Sequence, residues 1–114
     1  QQSWQSDSST LILATAAQDS NNNILFSDPA NYTSHKNNYI YFVSGGILYV
    51  RTLAAPVTGN KAVTSCPKSA ATSSCPQDRS LTTNATNFNV KYFNNANQEV
   101  TPTNARSIEL GLTL

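Results

Sequence analysis

The stretch YIYFVSGGILYVRTL, residues 39–53, decides the fold class. Two runs of aromatic and β-branched residues, 39–43 and 47–53, flank Ser44-Gly45-Gly46. Such side chains suit a pleated, half-buried surface, and glycine supplies the positive φ that a tight hairpin turn demands. Alternation assigns Ile40 and Phe42 to one side of the first strand, and Tyr39, Tyr41 and Val43 to the other. The prediction is a β-hairpin.

Downstream, TNFNVKYFNN and ARSIELGLTL are joined by NANQEVTPTN. Phe88, Val90 and Tyr92 alternate with Asn87, Asn89, Lys91 and Phe93, and Ile108, Leu110, Leu112 and Leu114 with Ser107, Glu109, Gly111 and Thr113. This period of two predicts two more strands with one apolar face. Upstream, TLILATAA (10–17) is followed by DSNNN and then NILF (23–26), read as strand, turn and returning strand. Residues 27–38 read as a polar loop punctuated by Pro29. Five or six strands predict an antiparallel sheet whose apolar face is covered by a helix ahead of Gln1 or by a second small sheet. The fold class is therefore mainly β to α+β, in one domain over residues 1–114. Residues 1–9, QQSWQSDSS, are read as the remnant of an N-terminal helix followed by a loop.

Composition points the same way. Charged residues are only 11% of the chain, while Asn, Ser and Thr make up roughly a third, so solubility rests on neutral amides and hydroxyls. These side chains compete for backbone hydrogen bonds and disfavour helix interiors. A net charge of +1 with scattered Lys and Arg provides no basic stripe for phosphates, so nucleic acid is not an expected partner. The chain contains no run of about 18 apolar residues to span a membrane. It opens on Gln1-Gln2-Ser3-Trp4 without Met, which is read as a mature fragment lacking its N-terminal part.

Cys66 and Cys75 lie in CPKSAATSSC. Their spacing matches neither a CxxC redox pair nor a zinc site, and the single histidine, His35, does not complete four ligands. A mutual disulfide is the simplest reading, stapling the long loop 54–79 and implying an oxidising, exported location. Catalysis has little to stand on. His35 lies beside Lys36 in a polar loop, with no GxSxG elbow anywhere in the chain. The carboxylates fall at turns and loops, apart from Glu109 on the solvent side of the last strand. Asp19-Ser20-Asn21-Asn22-Asn23 resembles the start of a calcium loop but lacks its glycine and distant glutamate. No metal, cofactor or enzymatic activity is expected. Tyr39, Tyr41 and Tyr49 are candidates for an interface, with sheet packing as the competing reading. Arg106, opening an apolar strand, is either structural, pairing with Glu99 or Glu109 or capping neighbouring carbonyls, or a contact for another molecule.

Three segments, in order, resemble the heads of prepilin-type proteins, above all minor pilins and the J-type minor pseudopilins of type II secretion. They are STLILATAAQDSNNNIL (9–25), NYIYFVSGGILYVRTL (38–53) and LTTNATNFNVKYFNNANQEVTPTNARSIELGLTL (81–114), the last carrying Ala105-Arg106-Ser107-Ile108. The resemblance implies a pilin-like antiparallel head whose hydrophobic N-terminal helix precedes Gln1. It also implies a membrane anchor through that helix alone, a place at the cell surface, and partners among other pilin subunits and the pilus assembly machinery. Its role would be priming assembly or occupying the filament tip. The alternative is a surface adhesin or carbohydrate-binding β domain that uses the Thr/Asn-rich loops and tyrosines.

Overall fold

The computed structural model describes residues 6–113. Eight strands follow in chain order: β1 Thr10–Ala16, β2 Phe26–Asp28, β3 Thr33–Ser34, β4 Lys36–Ser44, β5 Ile47–Leu53, β6 Arg79–Thr82, β7 Asn87–Phe93 and β8 Ser107–Thr113. Short 3₁₀ turns at Pro29–Asn31, Lys68–Ala70 and Pro102–Asn104 are the only helical elements among the described residues. The fold is mainly β. Residues 6–9, expected as part of a helix remnant, are not helical, because Asp7 instead closes a local turn by accepting the Ser9 N–H at 2.8 Å. The remainder of that expectation, residues 1–5, lies outside the described residues.

Hydrogen bonding assembles a four-stranded sheet in the order β1-β4-β5-β6 and two ribbons, β2-β3 and β7-β8. The predicted central hairpin forms. Gly45 and Gly46 turn the chain at φ 58° and 77°, the pair of positive values that a two-residue turn with the twist of its flanking strands requires. Ile40 is fully buried, and one residue on, Tyr41 packs against buried Leu11, Val90 and Tyr92. Adjacent strand residues point to opposite faces, so β4 is covered on both faces, where the sequence suggested a single covered face.

The chain divides into two compact units. The first comprises residues 1–12, 41–49 and 80–114; the second comprises 13–40 and 50–79. In the first, the core is Leu11, Val90 and Tyr92, with Tyr41, Phe88 and Ala105 packed around it. The Tyr92 hydroxyl lies 3.2 Å from the carbonyl oxygens of both Asp7 and Thr10, fastening the start of the chain, and burial pushes its pKa up.

The second unit departs most from expectation. Residues 23–26 do not return as a strand along β1; a single bridge, Gln18 to Ile24, closes that turn, and Phe26 begins β2, which pairs with β3. The cause is local. The Asp19 carboxylate accepts the backbone N–H groups of Asn21 and Asn23, both at 2.9 Å, and so winds the chain into a compact turn with Asn22 at φ 66°. Within the predicted polar loop 27–38, β2 and β3 form around Pro29–Asn31, and β4 already begins at Lys36. The loop 54–79 contains the 3₁₀ turn at Lys68–Ala70 and ends in β6, a strand the sequence pattern did not reveal.

Candidate interaction surface

Strands β7 and β8 pair antiparallel over their whole length, with Phe88 opposite Leu112, Val90 opposite Leu110 and Tyr92 opposite Ile108. Directly opposed residues share a face, so these six side chains form the one apolar face that the period of two predicted. The two halves of that face differ. Val90 and Tyr92 are buried, whereas Ile108, Leu110 and Leu112 are 43%, 55% and 42% exposed. Solitary exposed apolar side chains are ordinary. Here three occupy successive same-face positions of one strand and form a continuous exposed row.

The polar face of the hairpin is ordered as well. Lys91 stands opposite Glu109, and Asn89 opposite Gly111. A Cβ at Gly111 would lie 2.6 Å from Asn89 Oδ1, so the Asn89 amide lies against Gly111 and occupies the space a side chain would take. The outer edge of β7 is engaged by its own chain. The Val90 N–H donates to Ser8 O at 3.0 Å, and the Val100 N–H donates to Tyr92 O at 2.8 Å. Beside β8, no strand among the described residues pairs with the outer edge. An open recess of about 430 Å³ adjoins the strand, lined by Phe93, Asn97, Ser107, Ile108 and Glu109.

The structure separates the three candidate tyrosines. Tyr41 faces the core with Leu11, while Tyr49 stacks on Phe42 with ring centroids 5.7 Å apart. Since Tyr41 and Phe42 are neighbours on β4, Tyr49 and Tyr41 serve opposite faces. Tyr39, half-buried, lies in the second compact unit. Arg106 is exposed just before β8. Its backbone N–H donates to Phe93 O at 2.7 Å, and neither Glu99 nor Glu109 forms an ion pair with it among the described residues.

Cys66 and Cys75 are joined in a disulfide, with their Cα atoms 5.6 Å apart. Beside the bridge is a polar lock that sequence reasoning did not find. Asp78, only 5% exposed, accepts hydrogen bonds from Arg51 Nη2 at 2.7 Å, from Arg51 Nε at 3.1 Å and from Ser65 Oγ at 2.8 Å. Ser65 in turn is tied to Thr52 by Thr52 N–H to Ser65 Oγ and Ser65 N–H to Thr52 O. Buried Asn37 does similar work, its Oδ1 accepting from the Ala55 N–H at 2.9 Å and from Asn60 Nδ2 at 2.8 Å. An Asp or Asn in a polar run reads as exposed, so the only available signal was the presence of an arginine in an otherwise apolar strand. These groups are satisfied by one another, which makes them structural.

Asp19 also spends its carboxylate on the chain itself. The Asn23 backbone N–H, foremost, holds its pKa below the ordinary aspartate value, with Asn21 and the charge of Lys61 adding to the effect. His35 joins neighbouring segments through its backbone, donating to Leu25 O and accepting from the Ala17 N–H. Among the described residues no group of three or more His, Cys, Asp and Glu side chains is placed to hold a metal ion, and no helix is long and apolar enough to cross a membrane. Compared with protein-family models, with curated proteins and with solved structures, the chain has no match.

Proposed function

We propose that the chain is the exported head of a structural, filament-forming subunit resembling a minor pilin or minor pseudopilin, which works through contacts with other subunits and not through catalysis. The observation that carries this reading is the exposed row Ile108, Leu110 and Leu112 on a strand whose outer side no other strand pairs with among the described residues. Leaving such a row in water forgoes roughly 25 cal/mol for each Å² of apolar area that a partner would cover, and an open strand edge invites pairing with another chain. The disulfide supports an oxidising compartment, in keeping with a place at the cell surface. In this reading an apolar helix ahead of Gln1 anchors the subunit before assembly and completes an α+β pilin architecture.

The test is twofold. The coding sequence upstream of Gln1 is expected to encode about 20 apolar residues behind a short basic leader. Deleting the gene is expected to reduce surface filaments. A cleavable secretory signal alone, with filament number unchanged, would refute the reading.

A second reading, carbohydrate binding, is favoured by the recess beside β8, where one aromatic ring meets amide, hydroxyl and carboxylate groups. Binding of defined glycans to the isolated chain, lost on Phe93→Ala, would decide for it.

A further inference from the structure

We infer that β8 pairs antiparallel with β8 of a second copy of this chain, across a two-fold axis at Leu110. The inference rests on reading β8 as a protein-contact surface, but it does not depend on a filament.

Backbone direction comes first. The Val90 N–H donates to Ser8 O and therefore points away from β8. In an antiparallel ladder, hydrogen-bonded and non-hydrogen-bonded pairs alternate. Val90 and Leu110 are consequently a non-hydrogen-bonded pair, and the N–H and C=O of Leu110 face the open edge, as do those of Ile108 and Leu112. The groups presented outward thus belong to the same three residues whose side chains form the exposed row.

Register comes second. Setting Leu110 opposite Leu110 of the second copy places Ile108 opposite Leu112 and Leu112 opposite Ile108, so three apolar pairs form and each outward N–H finds a carbonyl. On the polar face, Glu109 then meets Gly111 of the second copy. The Asn89 amide, which fills the space over that glycine, offers the carboxylate a donor. Glu109 keeps Lys91 on its own β7 as the opposed cation. Sliding the register by two residues toward Ile108 puts Glu109 directly against Glu109, an arrangement that like-charge repulsion disfavours. Sliding it the other way keeps two Leu110–Leu112 pairs but leaves Ile108 with no apolar partner among the described residues. Of the three, the register centred on Leu110 pairs all three exposed apolar residues without opposing like charges, and it is self-complementary, as an isologous contact requires.

Strand-to-strand pairing of seven residues buries less than the roughly 1,200 Å² of a standard stable interface, so the dimer is weak and concentration-dependent. Sedimentation of the whole purified chain is expected to show a monomer–dimer equilibrium. Leu110→Lys, which sets two ammonium groups together at the axis, is expected to weaken it at least ~10-fold. Because Leu110 is exposed, that variant keeps the parent's thermal unfolding.

Register is read by cross-linking under mild oxidation, with the Cys66–Cys75 bridge confirmed intact by mass. Leu110→Cys is expected to give a reducible dimer at least ~10-fold faster than Asn95→Cys. Ile108→Cys is expected to stay monomeric alone but to couple with Leu112→Cys when the two are mixed. A purified chain that sediments as a monomer throughout, with Leu110→Cys no faster than Asn95→Cys, overturns the inference. If cysteine at 110 then captures other polypeptides on producing cells, self-pairing is refuted while the subunit reading stands. Loss of both outcomes refutes the two together.

Discussion

Residues 51–78 hold a segment of little regular structure with polar cross-links, whereas the β7–β8 hairpin has a complete backbone ladder and leaves half of its apolar face uncovered. In the first region, Arg51, Ser65 and Asp78 satisfy one another and the Cys66–Cys75 bridge closes a short loop. In the second, β7 buries Val90 and Tyr92 while β8 presents Ile108, Leu110 and Leu112 to solvent. The contrast teaches that regular structure and burial are separate achievements. The irregular segment has its buried polar groups matched internally, whereas the strand pair with the full ladder leaves the apolar row of one strand uncovered among the described residues.

The contrast is broken most strongly at Asp78. Asp78→Ala removes the carboxylate paired with the largely buried Arg51 guanidinium, and unfolding should cost about 3–5 kcal/mol less than in the parent chain. Denaturant melts read this directly. Leu11→Ala, on the covered side of the apolar core, should destabilise by about 3 kcal/mol in the same assay. Removing the staple with Cys66→Ser and Cys75→Ser together should cost about 2–3 kcal/mol, the chain-entropy value for a loop of this size. An equal loss on adding reductant to the parent chain would confirm that the bridge is the cause.

The sharpest contrast with Leu11 lies at Leu110, where truncation to Ala should change the stability of the dilute monomer by less than about 0.5 kcal/mol. A loss approaching that of Leu11→Ala would mean that β8 is covered within the chain itself. The smallest effect belongs to Asp19. Its folded pKa lies below the ordinary 3.8, so its contribution is complete above that pH and is lost as pH falls through the lower folded value. Asp19→Asn should slightly lower stability at neutral pH and flatten the acid limb of a stability–pH profile, the two chains converging at pH values below the folded pKa of Asp19.

Much of the strand content was legible because local chemistry dictates it. Gly45 and Gly46 satisfy a demand for positive φ that few other residues meet, and the alternation through Phe88–Val90–Tyr92 and Ile108–Leu110–Leu112 predicts both strands of the closing ribbon. The elements that escaped are those fixed by distant partners. Strand β6, Arg79–Thr82, is short and has no period of its own, and β2 and β3 are brief pairings inside a polar run. Asp78 and Asn37 read as loop residues because a polar side chain signals burial only when its hydrogen-bonding partners are known. The row on β8 escaped for the opposite reason. Its pattern was plain, but a pattern states which side chains share a face and not what lies over them. Of the proposed interface residues, Arg106 is exposed beside β8, while the tyrosines are divided between packing roles that their proximity in sequence did not disclose.

The proposed function requires above all that protein cover the exposed side of β8 in the assembled state. Its most direct test is a photoactivatable residue at Leu110, expressed in producing cells and irradiated without lysis. Ultraviolet-dependent adducts are expected with another copy of this chain or with other subunits of a surface assembly, absent when the same residue replaces Asn95. Recovery of the irradiated chain solely as monomer, with Leu110 and Asn95 indistinguishable, would contradict it.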